Sequence, residues 1–294
     1  MTTTAPAPRE SGLGYMVQAA FWFAVMGLLV KLASRGLPTM QIVFVRASVS
    51  LTLAATLLWR AGQRPIGTNQ RLLLLRGAVG SLAMICFYAA IVHLPLAEAT
   101  VIQQTSPLFT ALFAAPLLRE RLDGRVLLGI TVALVGVLLI ARPDWAFAGD
   151  ATANGHAWHY AFVALVSAVL SALAYISVRL LGRSENPLVV VFYFPLVTVP
   201  LTAPFAAAVW VWPDPTQWAT LVTIGVVTQI AQVNMTKGLA REPAARATAV
   251  GYLQVAFATL FSAAVLGVWP DAWSTGGMLL ILASLLLSTG GARQ

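Results

Sequence analysis

Four glutamines fall at helical spacing inside apolar runs of the chain: Gln103 beside Gln104, and Gln229 one turn from Gln232. A primary amide has up to four hydrogen-bonding positions and is expensive in an apolar setting unless they are met. Such amides can hold a polar small molecule or tie two helices together, and their type leaves both open. Gln103 shares a sector with Thr100, Gln104 and Pro107. Pro107 has no N–H, so the Gln103 carbonyl is released to accept from a ligand or a water. Gly225, Thr228, Gln229, Gln232 and Thr236 line one side of a second stretch, and Thr248 and Tyr252 lie one turn apart on a third. Further stripes add hydroxyls and rings: Gly77, Ser81, Met84 and Tyr88; Ser167, Ser171 and Tyr175; Gln18, Trp22 and Met26. Arg46 is the one charge read as lying away from a span end. It suits either a substrate carboxylate or a packing ion pair. The candidate binding set is therefore Trp22 and Met26; Arg46; Ser81 and Tyr88; Gln103, Gln104 and Pro107; Ser171 and Tyr175; Thr228, Gln229 and Gln232; and Tyr252. Each has a packing alternative, since Ser and Thr in membrane helices bond back to a backbone, Gly77 and Gly80 suit close helix approach, and Met84 suits core filling.

Other chemistries lack their residues. There is no H-E-x-x-H, no G-x-S-x-G and no aspartate pair on adjacent spans, so the chain reads as not an enzyme. It has no G-x-x-x-x-G-K-[ST] loop for ATP. The single cysteine, Cys86, excludes an intrachain disulfide and a CxxC metal site. No metal or cofactor is expected.

The elements that must position these side chains follow from composition. Of 294 residues, 59% are apolar and 10% charged, against roughly 25% charged in a soluble domain. That balance excludes a soluble enzyme, a disordered protein and a typical nucleic-acid binder. The expected fold is all-α integral membrane, with the lipid bilayer as its surroundings and no nucleic acid as partner. A span takes ~20 apolar residues, and the apolar runs divide into ten: 13–34, 38–59, 72–93, 97–118, 125–141, 158–182, 187–211, 217–239, 244–267 and 272–290. A Thr/Ala/Pro-rich tail over 1–12 is expected to be disordered. No cleavable signal peptide precedes the first span, which is read as its own anchor. Pro107 is expected to interrupt the fourth span, and Pro195, Pro200 and Pro204 the seventh.

Charge orients the bundle. The net charge is +8, and in a membrane chain basic loop residues mark the cytoplasmic side. Arg9, Arg60, Arg64, Arg71, Arg76, Arg119, Arg121, Arg125, Arg179, Arg183, Lys237, Arg241, Arg246 and Arg293 fall on the side of the N-terminus. Only Lys31, Arg35 and Arg142 fall opposite. Both termini are therefore expected in the cytoplasm. Trp145, Trp158, Trp210, Trp212, Trp218, Trp269 and Trp273 sit at outer span ends and Trp59 at an inner end, as an interfacial belt requires. Trp22 does not fit the belt.

Shifting the chain along itself by 148 residues aligns 95–140 with 243–288, matching Pro95 with Pro243, Thr100 with Thr248, Phe109 with Phe257, Asp123 with Asp271 and Gly129 with Gly277. The unit is five helices, 13–141 and again 158–290, joined by an external linker over 142–157. An odd number of spans forces the second copy to insert upside down. Inverted repeats are a recurring plan of secondary transporters, with the substrate near the midplane between the halves.

The run Phe87-Tyr88-Ala89-Ala90, then Leu96-Ala97-Glu98-Ala99-Thr100, Pro107-Leu108-Phe109, Glu120-Arg121-Leu122, Gly129 and Gly136-Val137-Leu138-Leu139, resembles the signature of the EamA-type drug/metabolite transporters. Arg46 also resembles an arginine usual in the second span of that family. The resemblance covers essentially the whole chain and is closest to the family's YddG-type amino-acid exporters. It implies two five-helix units and export of amino acids or other small metabolites. The chain departs from the pattern in having Arg119 where the family has Gly, and Val268 opposite Glu120 in the second copy.

With Arg46 as its one cation, the expected cavity disfavours phosphorylated substrates, and without an embedded carboxylate it disfavours cationic drugs. A zwitterion fits, its ends taken by amides and carbonyls and its side chain or ammonium by Tyr88, Tyr175 and Trp22. The expectation is alternating-access export of small neutral amino acids such as methionine, threonine and tryptophan across a cell inner membrane, down the substrate's own gradient. A proton-coupled exporter of drugs or other metabolites, using Glu98, Glu120 or His93, is the alternative, and a non-transporting membrane protein a third. Oligomeric state is open, a monomer sufficing.

Overall fold

The computed structural model describes residues 12–94, 96–121, 123–142, 157–267 and 269–289, and within them it is helix and turn alone. The helices are α1 (Gly12–Ala33), α2 (Thr39–Arg60), α3 (Gln70–His93), α4 (Leu96–Gln103), α5 (Ser106–Leu118), α6 (Gly124–Ala141), α7 (Ala157–Leu181), α8 (Pro187–Ala208), α9 (Pro215–Arg241), α10 (Ala244–Val250), α11 (Leu253–Leu266) and α12 (Ala272–Thr289). Nearly all of the expected tail and linker lie outside the described residues.

Eight helical stretches are long and apolar enough to cross a bilayer. One of them joins α4 to α5 and another joins α10 to α11. α12 is shorter but apolar. α9 is the longest helix, at 27 residues, yet too rich in Thr, Gln and Asn to count with them.

Burial is arranged for lipid rather than water. Alanines fill the interior, among them Ala54, Ala133, Ala164, Ala168 and Ala172, while Leu74, Leu82, Leu128, Phe162, Phe205 and Leu286 face outward. Lipid tails are as apolar as leucine, so helix contacts are made by small residues that let backbones approach. α6 and α12 show the extreme: a Cβ on Gly136 would stand 2.6 Å from the Gly277 carbonyl oxygen, and one on Gly277 2.5 Å from that of Gly136. Trp59, Trp158, Trp212, Trp269 and Trp273 project outward at or beside helix ends.

α6 packs along α12 and α2 along α8. α1 runs against α9 and α11, and α3 against α7 and α8. α2 also meets α9, and α5 meets α7. Exchanging the elements of 12–141 for those of 157–289 leaves this pattern of neighbours unchanged.

On the face where α1 begins, here the near face, the Asn69 N–H donates to Glu185 Oε1 at 2.6 Å. On the far face the Gln41 amide donates to the Val211 carbonyl at 2.6 Å and accepts from its N–H at 3.0 Å. Arg142 is ion-paired with Asp271 there. The Ser274 backbone N–H and then Arg142 hold the Asp271 carboxyl down to about 2, so this tie stays ionised through the ordinary carboxylate range and above.

Two expectations about breaks change. α8 runs unbroken through Pro195, Pro200 and Pro204, because each proline removes a single backbone bond and a packed membrane helix tolerates that. The ninth stretch, which has no internal proline, does break, at Gly251–Tyr252 between α10 and α11.

Candidate functional site

The break between α4 and α5 falls at Gln104–Thr105, immediately before Ser106-Pro107. Thr105 N–H bonds the Ile102 carbonyl at 3.0 Å and Tyr252 N–H the Ala249 carbonyl at 3.3 Å, so each break tightens into a single turn. The two breaks meet: Tyr252 Oη donates to the Gln104 carbonyl at 2.8 Å, across the same separation of 148 residues as the internal repeat. Tyr252 is buried in this contact and holds the breaks together.

Beside the junction lies a cavity of about 440 Å³, within the range of small-molecule sites. It brings together Met26, Arg46, Tyr88, Gln103, Gln104, Ser171, Tyr175 and Gln232 of the expected set. Thr228 and Gln229 line a small annex between α2, α8 and α9 that shares Arg46, Phe194 and Gln232 with the cavity wall. Pro107 lines a second annex, at the helix breaks, with Thr248 and Gly251. Two residues stand apart. Ser81 is buried in a 2.7 Å hydrogen bond with Thr198. Trp22 packs edge-on to Phe21, and the first helix instead turns Phe23 and Met26 to the cavity.

The glutamines differ in their partners. Gln103 donates to Ser171 Oγ at 2.9 Å, and the single Ser167 O–H is shared between Gln103 Oε1 at 2.8 Å and the Ala83 carbonyl at 2.7 Å. That amide ties α4 to α7. Gln229 is 3% exposed, and neither atom of its amide has a partner.

Arg46 is 8% exposed and donates only to two thioethers, Met84 Sδ at 2.7 Å and Met26 Sδ at 3.4 Å. The expectation of a single cation does not survive, because Arg76 also lines the cavity. Charge sorting had grouped it with the basic residues of the near face. It lies six residues into α3, at the end of the run Leu72-Leu73-Leu74-Leu75, and is 4% exposed. Its guanidinium sits 4.9 Å from the centroid of the Phe194 ring. Gly80, one turn on, leaves the space it occupies, since a Cβ there would collide with Arg76 Nη1. A charge closing a run of leucines, followed at i+4 by a glycine, is the sequence signal for this placement. Gln254, Ser106 and Met235 are further lining residues absent from the expected set. No carboxylate is among the residues that line the cavity. The Glu98 side chain lies outside those described.

At the near face the helix ends are joined by a latch. Arg179 Nε donates to Glu120 Oε1 at 2.9 Å, and the Ala244 N–H donates to Oε2 at 2.8 Å. Arg179 Nη1 also donates to the Ala240 carbonyl at 2.8 Å. One carboxylate and one guanidinium thus join the ends of α5, α7 and α9 to the start of α10. His93, at the far face, stacks on Tyr160 at 4.0 Å.

Apolar helices that enclose a polar cavity and are latched together at one face define a multi-pass membrane transporter. The model of the EamA-like transporter family matches this chain twice, over residues 10–142 and 158–290. The chain belongs to the EamA-like transporter family. It is 33% identical over 281 residues to the pseudopaline exporter CntI of Pseudomonas aeruginosa, covering 95% of this chain and 96% of that protein. It is 31% identical to the mouse solute carrier family 35 member G1, covering 95% of this chain and 78% of that one. A crystal structure with 19% sequence identity superposes with a TM-score of 0.85 over 96% of this chain and 97% of the other, which shows a shared fold.

Proposed function

We propose that this protein is a secondary transporter that exports amino acids and closely related small metabolites across a cell inner membrane by alternating access. The observation that carries the reading is the central cavity: amides, hydroxyls and tyrosines surround it, and it adjoins the point where two broken helices meet. Ligand sites at discontinuous helices in corresponding positions of two halves are characteristic of inverted-repeat transporters. The exchange-invariant packing and the double family match support ten spans in two inverted five-helix units, 13–141 and 158–290. The basic near face supports cytoplasmic termini. The relative named as an exporter supports the direction of transport.

Substrate binds in the cavity against Tyr88, Gln104, Tyr175 and Gln232, and the halves rock about the Gln104–Tyr252 junction. With Glu120 held by Arg179 and the Ala244 N–H, and no carboxylate among the described residues of the cavity wall, the reading is facilitated movement down the substrate's gradient. The test is counterflow of labelled methionine, threonine, tryptophan and glutamate in liposomes holding the purified full chain, with and without a pH gradient. Accumulation without a pH gradient is expected. Exchange of none of them by folded protein overturns the reading, and exchange only under a pH gradient replaces the facilitative mechanism by proton coupling.

A further inference from the structure

Arg46 and Arg76 line one cavity, and neither takes part in the ion pairs among the described residues, Arg142–Asp271 and Arg179–Glu120. A guanidinium does not lose its proton in a protein, so both stay cationic in a wall sheltered from water. Their present partners are weak. Arg46 has two methionine sulfurs, and Arg76 has the Phe194 ring while its buried Nε and Nη1 have no hydrogen-bond acceptor. The Gln229 amide in the annex beside Arg46 is equally unmet. Buried polar groups without partners are rare in folded proteins, and an unmet guanidinium on the cavity wall, with an unmet amide in the adjoining annex, indicates partners supplied from outside the chain.

We infer that the transported metabolite carries at least two acidic oxyanion groups and is net anionic, with Arg46 and Arg76 as the residues that select it. The inference rests on the reading of the cavity as the transport site. A neutral zwitterion satisfies one guanidinium and brings its ammonium toward the other, where Phe194 is already covered by Arg76. A second oxyanion removes that conflict. The arginines enter from opposite ends of the bundle, Arg46 seven residues from the far-face start of α2 and Arg76 six from the near-face start of α3, so an extended substrate engages both. A planar guanidinium holds a carboxylate or a phosphate through paired N–H bonds. The amides of Gln229 and Gln232 and the tyrosine hydroxyls remain for its neutral polar groups.

The test uses the full chain in liposomes, comparing counterflow of labelled glutamate with that of labelled leucine, and competing each with citrate, O-phosphoserine and inorganic phosphate. Glutamate is expected to exceed leucine by about tenfold or more, the effect of one well-made ionic contact. An imposed membrane potential should shift net glutamate uptake and not net leucine uptake. Stronger competition by citrate assigns the second group as a carboxylate, and stronger competition by O-phosphoserine assigns it as a phosphate. R76Q should bring the glutamate-to-leucine ratio near one, while R64Q, which removes an exposed charge, leaves it unchanged. G80A, which displaces the guanidinium without removing it, should lower the ratio as well, and R76M covers the case in which R76Q does not fold. Leucine exchanged as well as or better than glutamate overturns this inference and leaves the transport reading standing. An unchanged ratio in folded R76Q or R76M also overturns it. Competition by inorganic phosphate alone means an adventitious anion and overturns it too. Exchange of neither substrate overturns this inference, and exchange of no amino acid at all overturns both readings.

Discussion

Gln103 and Gln229 are chemically the same side chain on one cavity system, and their partners separate them. Gln103 is tied to Ser167 and Ser171, so Q103L takes from Ser171 Oγ its donor and leaves the Ser167 hydroxyl the Ala83 carbonyl alone. It should lower the stability of the detergent-solubilised protein by about 1–3 kcal/mol. Gln229 has no such partners, so Q229L should leave the melting temperature unchanged or raise it while counterflow falls. Both are read by thermal unfolding and transport on the same preparations; equal loss of stability in the two variants contradicts the assignment. The amides were visible in the sequence because a polar group inside an apolar run is conspicuous. Which amide was engaged was not, because the engaging serines lie 64 and 68 residues away. Arg76 escaped for a related reason: near a span end, a side chain that reaches the interface and one that turns into the bundle look alike in sequence.

At the scale of elements, glycine and proline had different legibility. Gly136 and Gly277 let α6 and α12 approach until each glycine meets the other's carbonyl. G136A is therefore expected to destabilise by about 1–3 kcal/mol through forced separation of the pair. G276A, on α12 beside Gly277 but facing open space, should leave the melting temperature unchanged or raise it slightly. Equal melting temperatures for G136A and wild type would falsify this account of the contact. Proline was a poor guide to breaks. Three prolines leave α8 continuous, while Gly251–Tyr252 interrupts the ninth stretch without one. A proline removes one donor, and whether the helix then breaks depends on what packs against it. At Gly251–Tyr252 the Tyr252 hydroxyl anchors the turn to the facing break.

For the molecule as a whole, closure of the near face rests on Glu120 and Arg179, which join four helix ends. The opposite copy places Val268 and Lys31 at the corresponding positions, so the far face has no equivalent pair. E120Q keeps a carbonyl for the Ala244 N–H but loses the charge that holds Arg179. It should shift the population toward near-face opening. On a C86A background, Leu239→Cys, buried on the wall of the annex at the helix breaks, should react faster with an impermeant thiol reagent applied from the near face when Glu120 is replaced. Unchanged labelling would assign closure to other contacts.

Composition alone determined that the chain is a helical membrane protein, because 59% apolar residues and 10% charged ones cannot cover a water-soluble surface. Spacing determined the repeat and, with it, the amides and tyrosines most apt to meet a polar ligand. Tertiary structure decided which of these share a cavity, that Trp22 and Ser81 do not line it, and that Arg76 does. The physical reason is that hydropathy and periodicity act along one helix, whereas a hydrogen-bond partner or a counter-charge is supplied by another helix far away in sequence. Whether a buried polar group is satisfied by the fold or left for a ligand is a property of the assembled bundle.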